Sequence, residues 1–143
     1  MDANTGNVVY AKNEHEELYP ASLTKIMTAL LVFEAIEDGK LSMDQMLTAS
    51  SSALMGLVTP TSAITYDLSA DGSSLGIKPG EQMTVNNLLH CMLIASANEA
   101  CNILAEAVSG SVSAFVNAMN AKAKELGCEN THFVNPNGLH DPQ

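Results

Sequence analysis

Ser22-Leu23-Thr24-Lys25 sets a hydroxyl and an amine three positions apart where an apolar stretch of helical period begins, so both side chains leave one face of one turn. A serine hydroxyl is a weak nucleophile until a base takes its proton, and an ammonium cannot be that base. Lys25 would serve only if desolvated enough to shed its charge, and Ile26, Met27 and Phe33 supply apolar surroundings for it. Placing Ser22 at a helix N-terminus also puts its backbone N–H where negative charge on a tetrahedral intermediate is favoured. The implied chemistry is acyl transfer, with Ser22 as nucleophile and Lys25 as general base. A second polar pair, Ser96 and Asn98, interrupts another helical stretch. With 13 Ser, 6 Lys and 12 Asn in 143 residues, chance alone supplies roughly half an S-x-x-K match and about one S-x-N match, so neither motif suffices by itself. The plainer reading of Ser96 and Asn98 is a helix break with a cap.

The elements that must carry these residues follow from periodicity. Asn4-Thr5-Gly6-Asn7 is a turn cluster and Val8 to Ala11 a returning strand, which predicts an N-terminal β-hairpin over residues 1–12. With only Met1 to Ala3 left for its first strand, the natural chain is expected to extend upstream. From Pro20 the pattern turns helical, apolar nearly all round until Gly39, as suits a helix at the centre of a domain. Ser42 and Gln45 fit a capping box for a short helix, and Ser50 to Leu54 add another turn. Residues 56–76 read as a long loop that runs on through Ile77-Lys78-Pro79-Gly80-Glu81. Thr84 caps a helix that breaks at Ser96-Ala97-Asn98 and resumes from Glu99 to Val108; Ser111 caps another that Gly127 ends. Thr131 to Val134 suggest a short strand, and Asn135-Pro136-Asn137-Gly138 a turn.

Composition narrows the field. The chain is 46% hydrophobic and 15% charged, with a formal net charge of −10 and no arginine, which makes nucleic acid a poor partner. Cys91, Cys101 and Cys128 lack metal-ligand spacing and an even count; they read as small core residues, though Cys91 and Cys101 could pair. His15, His90, His132 and His140 are scattered without ligand spacing, so no metal is expected. The longest apolar stretch, near residues 26–36, is too short to span a bilayer, and the N-terminus has no signal-peptide pattern.

Order and surroundings together add what the short motifs lack. Pro20-Ala21-Ser22-Leu23-Thr24-Lys25, Pro79-Gly80-Glu81, Ser96-Ala97-Asn98-Glu99-Ala100, Asn130-Thr131-His132-Phe133 and Gly138-Leu139-His140-Asp141 resemble the low-molecular-mass penicillin-binding proteins, in particular the serine-type D-alanyl-D-alanine carboxypeptidases. The resemblance runs from Asp2-Ala3-Asn4-Thr5-Gly6 almost to the C-terminus. It implies the α/β β-lactamase/transpeptidase-like fold, here mainly the α-helical subdomain (20–128) and the first hairpin of a truncated catalytic domain. It also implies Ser22 as acylated nucleophile, Lys25 as general base, Ser96 as proton relay, and Asn98 as support for Lys25 and ligand of the substrate amide. The reaction would release D-alanine from peptidoglycan D-Ala-D-Ala peptides outside the cytoplasm, in a protein secreted or periplasmic and membrane-associated only through a C-terminal anchor beyond this sequence. β-Lactams would acylate the same serine, and the resemblance implies no metal or organic cofactor.

The sequence departs from that pattern in four ways. Ala97 stands where glycine is commonest, Leu57 to Asp71 (57–71) read as an insertion, three cysteines are more than a secreted domain usually leaves unpaired, and the third family element, K-T-G on a strand, is absent from the 143 residues. The chain alone is therefore expected to be inactive and to expose an apolar face prone to self-association. Two other readings stay open: a class A-like β-lactamase, which shares S-x-x-K and S-x-N, and a non-catalytic domain that binds cell-wall peptide or a protein.

Overall fold

In a computed structural model, residues 1–14, 16–54 and 73–141 are described, and the suggested insertion at 57–71 and His15 lie outside them. The order is α1 (Thr24–Glu37), β1 (Met46–Thr48), α2 (Ser51–Leu54), β2 (Gln82–Thr84), α3 (Val85–Ile94), α4 (Asn98–Ser109) and α5 (Val112–Glu125). A 3-10 turn, Ala21–Leu23, leads into α1. Local chemistry sets most boundaries. Thr84 and Ser111 are N-caps whose hydroxyls accept from Asn87 N–H and Ala114 N–H, each at 3.1 Å. Gly110 (φ +79°) closes α4 in the left-handed conformation that a side chain disfavours.

The centre belongs to α4 rather than to α1. Every residue from Asn98 to Ala105 is buried, and α4 packs against α1, α2, α3 and α5. One apolar cluster joins Val32 and Ala35 of α1, Val85, Leu88 and Met92 of α3, and Ala100 and Leu104 of α4. A smaller one joins Leu31 and Ala105 to Phe115 and Met119 of α5. The uniformly apolar α1 suggested a central helix, but it buries only one face. Among the described residues nothing covers Leu23, Ile26, Leu30 and Phe33, which remain exposed.

Three predicted elements take another form. Residues 1–12 form no strand: two backbone bonds, Asp2 N–H to Asn7 O and Gly6 N–H to Asp2 O, both 2.9 Å, close a turn, and among the described residues no other segment pairs with it. A lone hairpin has too little to bury to hold itself together. Ser42 and Gln45 make half of the expected capping box: Gln45 Oε1 accepts from Ser42 N–H at 3.3 Å, but Gln45 N–H donates to the Ser42 backbone carbonyl at 3.1 Å and not to its hydroxyl. The chain then extends instead of coiling, because Met46–Thr48 pairs antiparallel with Gln82–Thr84. Thr131 to Val134 are also irregular; Phe133 bonds through its backbone to the Asn120 side chain, at 2.7 and 2.8 Å, instead of to a neighbouring strand. All three cysteines are free thiols, so Cys91 and Cys101 do not pair.

Candidate active site

The 3-10 turn lifts Ser22 to the surface at the head of α1, while Lys25, in the first turn of α1, points inward and is 4% exposed. Three segments far apart in sequence converge on its ammonium. Nζ lies 3.1 Å from Ser22 Oγ, 2.9 Å from Asn98 Oδ1 and 2.7 Å from the backbone carbonyl of Asn137. Ser96 Oγ is 3.1 Å from Ser22 Oγ. The structure thus brings Ser22, Lys25, Ser96 and Asn98 into one hydrogen-bonded group.

Each member is held by its own backbone. Ser96 adopts φ +57°, a conformation that sidesteps α3 into α4 and that non-glycine residues rarely take. Ala97 has φ −62° and is fully buried, so this position needs no glycine and has room for only a small side chain. Asn98 opens α4, and its N–H donates to Ser73 O at 2.8 Å. On the Ser22 side Ala21 is left-handed, φ +48°.

The Asn135-Pro136-Asn137-Gly138 turn predicted from sequence is an interior support, with Asn135, Pro136 and Asn137 all buried. Asn135 Oδ1 accepts from Gly138 N–H at 2.6 Å, and Asn137 Oδ1 from Leu139 N–H at 2.9 Å. Thr28, one turn beyond Lys25, donates its hydroxyl to Pro136 O at 2.6 Å. Gly138 (φ +87°) presses so closely on the turn that carries Ser22 that a Cβ there would sit 1.8 Å from Ala21 O. Asn102 extends the network, accepting from Asn137 Nδ2 at 3.4 Å and donating to Ala53 O at 2.9 Å. Asn102, Asn137 and Thr28 escape a motif search: what Asn137 gives Lys25 is a backbone carbonyl from 112 positions away.

Electrostatics around the group are those of an interior. Burial pushes the Cys101 thiol up to about 12, although the Lys25 charge opposes this, so Cys101 stays protonated and inert beside the site. A cleft of about 220 Å³ lined by Tyr19, Ala21, Thr24, Phe133, Gly138 and His140 adjoins the turn but is not lined by Ser22, Lys25, Ser96 or Asn98. Tyr19 and His140 meet edge to face there, ring centres 4.7 Å apart.

A surface serine bonded to a buried lysine, with a second serine and an asparagine beside them, is the arrangement that serine–lysine acyl transfer would require. The chain belongs to the D-alanyl-D-alanine carboxypeptidase family of peptidase class S11, whose model matches residues 1–143. It is 46% identical over 140 residues to the D-alanyl-D-alanine carboxypeptidase DacF of Bacillus subtilis, covering 97% of this chain and 32% of that protein. The crystal structure of the D-alanyl-D-alanine carboxypeptidase DacD from Francisella tularensis superposes on all of this chain with a TM-score of 0.84 at 38% identity, 31% of that structure being covered. Penicillin binding protein 5 from Haemophilus influenzae gives a TM-score of 0.81 at 34% identity over 96% of this chain and 37% of its own. The fold is accordingly that of the penicillin-binding proteins, and the chain spans about a third of the length of the relatives it matches.

Proposed function

We propose that the protein to which these residues belong is a serine-type D-alanyl-D-alanine carboxypeptidase that removes the terminal D-alanine of peptidoglycan stem peptides through an acyl-enzyme on Ser22. The observation that carries this reading is the environment of Lys25 Nζ. Of its three neighbours above, Asn98 Oδ1 and Asn137 O can only accept, and each claims an N–H. The third, Ser22 Oγ, is a hydroxyl and can also donate. In a neutral Lys25 the lone pair therefore faces the Ser22 proton, which is the arrangement general-base activation requires.

Lys25 takes that proton as Ser22 Oγ attacks the carbonyl carbon of the scissile bond. The backbone N–H of Ser22, at the head of α1, stabilises the developing oxyanion. Ser96 Oγ, 3.1 Å from Ser22 Oγ, passes a proton onward to the leaving D-alanine amine. Water then hydrolyses the ester and restores Ser22, Asn98 meanwhile holding Lys25 and bonding the substrate amide. β-Lactams, whose strained amide mimics the scissile bond, acylate Ser22 by the same route, and by this reading the enzyme works outside the cytoplasm, on the peptidoglycan of the cell wall. The 143-residue chain alone contains no K-T-G, and by this reading it has negligible peptidase activity.

D-Alanine release from a synthetic peptide ending in D-Ala-D-Ala tests the reading in the full-length protein. Release that Lys25→Ala abolishes is the expected result. Full activity in Lys25→Ala would remove the base from the mechanism, and no release by the wild type would remove the peptidase.

A further inference from the structure

Glu99 is a titratable group that the mechanism above does not use, and it is among the most deeply buried side chains in the protein, 2% exposed. It stands in the first turn of α4, but its carboxylate leaves that helix. Oε1 accepts from Ser74 Oγ at 2.9 Å and from the backbone N–H groups of Leu75 at 2.6 Å, Gly76 at 3.0 Å and, more weakly, Ile77 at 3.5 Å. Oε2 is buried and has no hydrogen-bond partner among the described residues. Burying a carboxylate is costly, and leaving one oxygen unpaired adds to the cost. Such a group persists where its other oxygen does something that a neutral side chain cannot.

What that oxygen gathers is the segment lying against the site. Asn98, which holds Lys25, donates its N–H to Ser73 O at 2.8 Å, so the Glu99 bonds to residues 74–76 continue a seam that Asn98 begins. Across the same break, Ala97 N–H donates to Cys91 O at 3.0 Å. The strained Ser96 is thus pinned from the α3 side by one bond and from the other side by a segment whose own anchor is Glu99. Left-handed backbone at a non-glycine residue lasts only where its surroundings over-determine it.

We propose that Glu99 is a positioning residue: its carboxylate clamps residues 74–76 to the head of α4, and so fixes Ser96 and Asn98 against Ser22 and Lys25. The proposal rests on the reading of Ser22 as an acylated nucleophile. Charge-assisted bonds to three main-chain N–H groups and a hydroxyl are stronger than those a neutral amide makes. Glu99→Gln therefore keeps the shape and part of the grip, and Glu99→Ala keeps neither.

The test measures two quantities in the full-length protein: the rate of acylation by a fluorescent penicillin, and amide hydrogen exchange at Leu75, Gly76 and Asn98. Phe115→Leu, a core change in the smaller apolar cluster, is the stability control. We expect acylation in Glu99→Ala to slow at least about tenfold through loss of orientation, with faster exchange at those three amides. Glu99→Gln recovers most of the rate, and Phe115→Leu lowers Tm without slowing acylation. Acylation within about twofold of wild type in both Glu99 variants, or equal slowing in Phe115→Leu, would overturn the proposal. If the wild type itself takes no label, the acyl-enzyme reading fails, and exchange still decides whether Glu99 holds the segment: unchanged protection at Leu75 and Gly76 in Glu99→Gln and Glu99→Ala sinks it.

Discussion

Neighbouring positions of one helical turn meet opposite fates. Lys25 is 4% exposed, whereas Leu23 and Ile26 beside it are 68% and 65% exposed. Burial at the head of α1 therefore follows hydrogen-bond satisfaction rather than hydrophobicity. A lysine can enter because acceptors from α4 and from the 135–138 turn converge on it. The leucine and isoleucine stay outside because, among the described residues, no apolar surface meets them. The inner face is thus held by a few specific bonds from distant segments, the outer face by nothing comparable, and the two should respond very differently to substitution.

The largest expected effect is at the inner face's tightest contact. Gly138→Ala combines a left-handed backbone with a Cβ 1.8 Å from Ala21 O, and should destabilise the protein by about 3 kcal/mol or more, because main chain has to move. Chemical denaturation measures this, and a loss below about 1 kcal/mol would mean that the turn can yield. Thr28→Val keeps the side-chain shape but strands the Pro136 carbonyl, and should cost about 1–3 kcal/mol in the same measurement. Equal stability would show that another donor reaches Pro136 O. Ile26→Ser on the outer face should change stability by no more than about 0.5 kcal/mol, since the side chain is already largely in water. A loss as large as that of Thr28→Val would erase the contrast between the faces.

How much of this was legible in the sequence also divides along local and distant lines. The hydroxyl caps Thr84 and Ser111, the stop at Gly127 and the Ser96–Asn98 break depend on neighbours three or four positions away, and sequence reading located all of them. Ser22 and Lys25 could be paired because three-residue spacing on a helix fixes their relation. The strands Met46–Thr48 and Gln82–Thr84 could not be read, since each is three residues long and is defined only by its partner across a long stretch of chain. The supports of Lys25 were hidden for the same reason. Asn135-Pro136-Asn137-Gly138 announced a turn, but not that the turn would be buried beneath the nucleophile. Glu99 lay inside a recognisable landmark and Asn102 outside any, and neither one's structural part could be seen, since nothing local reveals that α4 is the central helix.

The account stands on Ser22 being the atom that is acylated, with Lys25 as its base. The most direct test is to treat the full-length protein with penicillin and locate the adduct by peptide mass spectrometry. A single covalent adduct on the peptide containing Ser22, absent in Ser22→Ala and strongly slowed in Lys25→Ala, is the predicted result. An adduct on another residue, or undiminished labelling of Ser22→Ala, would contradict it.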